Sequence, residues 1–163
     1  NGTPLNYKVY ITDDINANAS ADGSVRVYSG LMDLMTDDEL RFVLGHEIGH
    51  VALGHTLKAM RLAYTAAAAR QAAGSLNSKA NALSDSMLGD LMEEFLNAQF
   101  SQSQELEADA YAMNFLKENN YNTAAAASSL RKLDELGSSG GFLSSHPNSG
   151  KRAEKMEEMA KQN

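Results

Sequence analysis

Residues 36–55 constrain this chain more than any other stretch. Thr36-Asp37-Asp38-Glu39 has the form of a capping box, with Thr36 at the N-cap and Glu39 three residues on. Two aspartates in the first turn suit the positive end of a helix dipole. Leu40, Val43, Leu44 and Val51 then recur at helical spacing, so a helix is predicted from about Asp37 into the fifties. That helix carries His46-Glu47-Ile48-Gly49-His50. At about 100° per residue, His46 and His50 lie roughly 40° apart on one face, so both imidazoles can reach one metal ion. Glu47 stands beside that face, where its carboxylate can take a proton from an attacking water. Imidazole and carboxylate donors around a tetrahedral position with one open site suit zinc.

A catalytic zinc needs a third protein ligand. The chain has no cysteine, so that ligand is an oxygen or a further histidine. Of the four histidines, His55 shares the motif's neighbourhood and His146 stands far from it. If the helix continues, His55 points about 140° from His50 and about 180° from His46, and only a sharp break would let it ligate. A polar contact on the surface or between helices suits it better. In Glu105-Leu106-Glu107-Ala108-Asp109, Glu105 and Asp109 share a face at i and i+4, while Glu107 points away. Glu105 as ligand, with Asp109 one turn later holding a ligating histidine, would place both on one helix. By spacing alone Glu93 and Glu94 remain open as well.

A chain of 163 residues is expected to form one domain, residues 1–163, with a core large enough to need no disulfides. Its net charge of −7, without a dense basic run, argues against a nucleic-acid partner. No segment approaches the roughly 20 apolar residues of a spanning helix. The first residue is Asn rather than Met, which reads as a trimmed N-terminus.

Tyr7 to Ile11 and Val25 to Tyr28 read as strands, with a turn at Asp22-Gly23 and an end at Ser29-Gly30. The second strand is expected at the edge of a substrate cleft, open to an added peptide strand. A short helix follows at Leu31–Met35. Thr56–Ala73 can continue the histidine helix, with a break at Gly74–Ser78. Leu83, Met87, Leu88, Leu91, Met92 and Phe95 form an amphipathic stripe. It suits the core, or a docking face for a membrane or partner protein within 57–100. Further helices are expected at about Gln102–Lys117, from a Thr123 cap to Leu136 with Gly137 as its stop, and at about Lys151–Lys161. Ser138–Gly150, rich in Gly and Ser, reads as a mobile loop around His146. The fold class is therefore α+β, mostly α, with a small N-terminal sheet beside the active-site helix.

Gly45-His46-Glu47-Ile48-Gly49-His50-Val51-Ala52-Leu53-Gly54-His55, then Glu105 to Asp109, then His146-Pro147 with Arg152, resemble the zinc peptidase family that includes HtpX, the CAAX prenyl proteases and BepA. Asn16-Ala17 and Val25 to Leu31 resemble that family's segment before its active-site helix. The likeness runs from about Val9 to Arg152 and is greatest to the soluble bacterial lipoprotein branch. It implies a zincin-like fold of gluzincin type, with zinc held by His46, His50 and Glu105. It implies Glu47 as general base and Asp109 supporting His46. His146 returns to the cleft, either to stabilise the oxyanion or to occupy the open zinc position at rest. The second role motivates an alternative, a quality-control or scaffold module with a shut site. Arg152 is expected to anchor the His146 loop by ion pairing. By the same resemblance the substrates are proteins or peptides, the function is envelope quality control, and the location is the periplasm. There a lipidated N-terminal segment would hold the protein at the outer membrane.

Overall fold

The computed structural model describes residues 4–74, 100–137 and 141–162. The expected break at Gly74–Ser78, the stripe from Leu83 to Phe95, and Glu93 and Glu94 lie wholly or largely outside them. Strands β1 (Asn6–Tyr10), β2 (Ala17–Ala19) and β3 (Ser24–Tyr28) form a sheet in the order β1-β3-β2. β1 runs parallel to β3, with Val9 opposite Val27, and β2 runs antiparallel, with Ala17 opposite the same valine. Val25 and Val27 are buried and alternate with partly exposed neighbours, as a half-buried strand requires. β3 is thus the central strand, and the expectation that Val25–Tyr28 borders an open cleft is corrected: β2 is the edge beside the histidine helix. Ala17-Asn18-Ala19 carries no β-forming residue, so pairing with β3, rather than propensity, makes it a strand.

Helix α1 (Ser29–Leu34) begins directly after β3, earlier than Leu31. Helix α2 (Asp37–Ala52) carries the histidine motif, and its capping box is complete. The Thr36 N–H donates to Glu39 Oε2 at 2.8 Å, and the Glu39 N–H donates to Thr36 Oγ1 at 3.5 Å. The same carboxylate accepts from Ser128 Oγ at 2.7 Å and from Lys132 Nζ at 2.6 Å. Both donors lie on helix α5 (Ala124–Glu135), so a local cap also ties two helices together. Burial pushes the Glu39 pKa up, but these hydrogen bonds outweigh it and hold it at about 2.

α2 does not run on. Gly54 has φ +76°, a left-handed conformation that glycine adopts without strain, and helix α3 (His55–Gly74) starts anew after it. Helix α4 (Gln102–Glu118) packs along α2 through a seam of small residues. A Cβ at Gly45 would lie 3.2 Å from Ala112 Cβ, and one at Gly49 would lie 3.2 Å from Ala108 Cα. This close approach brings Glu105 to the histidines. At α5 the expected Thr123 cap is corrected: Thr123 makes no side-chain cap bond, and Asn122 Oδ1 instead accepts from the Ala124 N–H at 3.0 Å.

The mobile-loop expectation for Ser138–Gly150 is also corrected over its described part, residues 141–150. Within it, α6 (Phe142–Ser145) is helical, and helix α7 (Ser149–Ala160) has already begun at Ser149. Phe142, His146 and Ser149 are buried. The apolar anchor is Phe142, which joins Leu31, Phe42, Met113, Leu116, Leu130, Leu133 and Met156 in the core. The described residues are mostly helical with a small three-stranded sheet, and no helix among them is long and apolar enough to cross a membrane.

Candidate metal centre

Three segments far apart in sequence converge beside β2. α2 supplies His46, Glu47 and His50, the first turns of α4 supply Glu105 and Asp109, and the turn between α6 and α7 supplies His146. All six are buried. His46, His50, Glu105 and His146 each offer a ligand atom, and these atoms lie within 4.8 Å of one another. His46 Nε2 is 3.0 Å from His50 Nε2 and 3.1 Å from His146 Nδ1. Glu105 Oε1 is 3.3 Å from His50 Nε2 and 3.1 Å from His146 Nδ1, and its Oε2 is 3.5 Å from His46 Nε2. Glu47 Oε1 lies 3.2 Å from His146 Nε2 and has no hydrogen-bond partner.

The proton inventory shows what such a cluster fits. Asp109 Oδ1 lies 2.8 Å from His46 Nδ1, and an ionised carboxylate only accepts, so Nδ1 carries the proton and Nε2 is a bare lone pair. It points into a group of two further ring nitrogens and a carboxylate oxygen. Electron-pair donors so closely gathered call for a cation between them. Three imidazole nitrogens and a carboxylate oxygen, with no thiolate, form a donor set that zinc accepts well.

Arg152, from α7, is buried in the same cluster. Its Nε donates to Asp109 Oδ2 at 2.8 Å and its Nη2 donates to Oδ1 at 2.7 Å, a bidentate pairing. Its Nη1 lies 2.5 Å from Glu105 Oε2 without hydrogen-bond geometry. Arg152 therefore does form ion pairs, with Glu105 in the cluster and with Asp109 behind His46. In this way it also fixes the start of α7, close to His146.

The electrostatics follow from burial among charges. Burial raises the Glu47 pKa, against the pull of His146 and His46. For Glu105 and Asp109 burial also acts upward, but it loses: the close approach of the His146 and His50 rings and of Arg152 lowers Glu105, and hydrogen bonds from Arg152 and His46 lower Asp109. Burial pushes His50 down to about 3, so it stays neutral, the form that ligates. His146 is raised, because the charges of Glu47 and Glu105 outweigh its burial. Two aromatic rings wall the site. Phe100 stacks on His50 at 3.8 Å between centroids, and Phe142 stacks on His146 at 4.3 Å. Neither ring was signalled by sequence, since a phenylalanine reads as core wherever it falls.

His55 stays outside the four-residue cluster. The break at Gly54 does turn it toward α2, but onto the far side of His50, Nδ1 to Nδ1 at 3.1 Å. Its Nε2 lies 3.3 Å from Oε2 of Glu107, the residue on the other face of α4.

A small sheet, a buried His-Glu-x-x-His helix and a carboxylate from a second helix define a domain of metallopeptidase type. The chain belongs to peptidase family M48, whose model matches residues 2–160. It is 49% identical over 156 residues to the metalloprotease LoiP of Escherichia coli K12, covering 94% of this chain and 62% of that protein. It is 48% identical over 156 residues to the metalloprotease YcaL of the same organism, covering 94% and 61%. The mitochondrial metalloendopeptidase OMA1 of Bos taurus is 28% identical over 178 residues, 97% of this chain and 33% of the relative. The chain thus spans about three fifths of the length of the first two relatives.

Proposed function

We propose that residues 1–163 act as one zinc-dependent endopeptidase domain of gluzincin type, cleaving peptide bonds in protein substrates. The observation that carries this reading is the convergence of His46, His50 and Glu105 in a buried cluster, with Glu47 Oε1 beside it and without a hydrogen-bond partner among the described residues. His46 Nε2, His50 Nε2 and the Glu105 carboxylate would hold the metal. Zinc, when bound, polarises a peptide carbonyl and makes water more acidic.

The chain's own groups supply the rest. Glu47, its pKa raised by burial, is the base that takes a proton from water and passes it to the leaving amine. Asp109, clamped by Arg152, holds the Nδ1 proton of His46 and so keeps Nε2 free. β2, the sheet edge beside α2, is where an extended substrate would add as a further strand and fix its scissile bond near Glu47. Phe100 and Phe142 help exclude water from the imidazoles.

The test is Glu47→Gln. Zinc content should stay at the wild-type level, while cleavage of casein or a peptide library falls by about 10²–10⁴. Retained cleavage in a pure sample would sink the reading.

One observation supports a second reading, a quality-control or scaffold module with a resting, shut site. His146 Nδ1 stands 3.1 Å from both His46 Nε2 and Glu105 Oε1, among the ligand atoms themselves. If it shuts the site, His146→Ala raises cleavage; if it stabilises the oxyanion, the same change lowers it. Resemblance to the bacterial lipoprotein branch supports envelope quality control at the outer membrane as the setting. Membrane fractionation of the full-length protein tests that placement, and recovery in the cytosol would end it.

A further inference from the structure

His46 and His50 are both buried imidazoles with one ring nitrogen turned to the cluster and the other turned away. Behind His46 stands Asp109, with Arg152 behind that. Among the described residues, no carboxylate stands behind His50. The atom facing its Nδ1 is the Nδ1 of a second imidazole, His55, at 3.1 Å, and His55 Nε2 faces Glu107 Oε2 at 3.3 Å.

Two nitrogens that face each other must share one proton. Glu107 is half-exposed and accepts only, so it draws the His55 proton onto Nε2. His55 Nδ1 is then a lone pair and accepts from the Nδ1–H of His50. With that proton on Nδ1, the Nε2 of His50 is bare and faces Glu105 and His46. One tautomeric assignment satisfies every contact in the chain Glu107, His55, His50. The reverse assignment, with the His55 proton on Nδ1, would leave the Glu107 carboxylate facing a bare ring nitrogen.

The fold spends three separate features on this contact. Gly54 at φ +76° ends α2, so that His55 turns back. His55 opens α3 and is itself buried. Glu107 projects from α4 on a different face from Glu105 and Asp109, so one helix serves both ligating histidines.

We propose that His55 and Glu107 are a positioning pair for His50, fixing its tautomer and ring orientation as a metal ligand. This rests on the metal site proposed above. Partners of this kind are typically worth 10–100-fold in metal affinity.

The experiment measures the zinc dissociation constant of the full chain by chelator competition, with thermal stability of the metal-free proteins recorded alongside. His55→Leu should weaken zinc binding by about 10–100-fold while the metal-free protein keeps its folded signal. His55→Asn places an amide oxygen where Nδ1 was, and should restore most of the lost affinity. Glu107→Ala should weaken binding in the wild-type background and have no further effect in His55→Leu. Cobalt substituted for zinc should show an altered visible spectrum in His55→Leu and a wild-type one in His55→Asn. Unchanged zinc affinity in His55→Leu overturns the pair while leaving the metal site standing. So does an Asn variant no better than the Leu variant. A wild-type chain that binds no zinc overturns the metal reading itself, and the pair with it.

Discussion

Replacing Arg152 by Leu probes the cluster at its most expensive point. The guanidinium is 2% exposed and lies among three groups: Asp109, held by two hydrogen bonds at 2.8 and 2.7 Å; Glu105, 2.5 Å away; and His46, 3.3 Å away. Leucine keeps much of the apolar stem but leaves two fully buried carboxylates without their fixed cation. Removing one partner of a buried ion pair costs about 3–5 kcal/mol. With side chains this buried, solvent screening gives no discount. For a chain of this size each kcal/mol moves the melting midpoint by ~2–4 °C, so a fall of roughly 6–20 °C is expected in chelator. Zinc supplies positive charge to the same carboxylates, so adding it should recover part of the loss, more than it stabilises the wild type. The assay is a circular-dichroism melt of both proteins, with chelator and with excess zinc. A metal-free Arg152→Leu protein that melts within about 2 °C of wild type would refute the reasoning.

Other outcomes follow from the same geometry. Glu105→Ala should lose zinc as well as cleavage, measured by metal analysis; unchanged zinc would mean another group is the third ligand. Glu39, whose pKa is lowered to about 2 from its ordinary 4.5, contributes stability that is present above about pH 4.5 and is lost as pH falls toward 2. Because Lys132 is one-third exposed, that contribution is discounted to about 1–2 kcal/mol. Glu39→Gln should remove it and flatten the acid limb of a stability-against-pH curve; an unchanged limb would contradict the assignment. Gly49→Val should cost about 1–3 kcal/mol and weaken zinc binding, because its side chain pushes α4 and Glu105 away. Gly54→Ala meets nothing within 4 Å among the described residues, so the strain is that of the left-handed backbone and the cost is about 1–2 kcal/mol. A denaturant melt checks both costs, and a zinc titration checks the weakened binding of Gly49→Val.

What was legible in the sequence was local. The Thr36–Glu39 cap and the apolar repeat after it give α2 directly, since a capping box and a 3.6-residue period are properties of consecutive residues. β2 was illegible because Ala17-Asn18-Ala19 is a strand only through its partner, and β3 was misplaced to the edge for the same reason. The loop around His146 read as mobile from its glycines and serines, yet one buried ring, Phe142, anchors it to the core. At the centre, an i, i+4 period puts Glu105 and Asp109 on one face, but no period says which face of which helix they meet. That is decided by the glycine and alanine seam between α2 and α4. His55 shows the limit most clearly. Helical geometry alone turned it away from His50, and one left-handed glycine turned it back onto the side of His50 away from the other ligands.

The account stands most directly on where zinc sits. An anomalous-difference map from zinc-soaked crystals should show one strong peak about 2.0–2.2 Å from His46 Nε2, His50 Nε2 and a Glu105 oxygen, with Glu47 outside bonding distance. A peak held by other residues, or one that persists in a Glu105→Ala crystal, would contradict it.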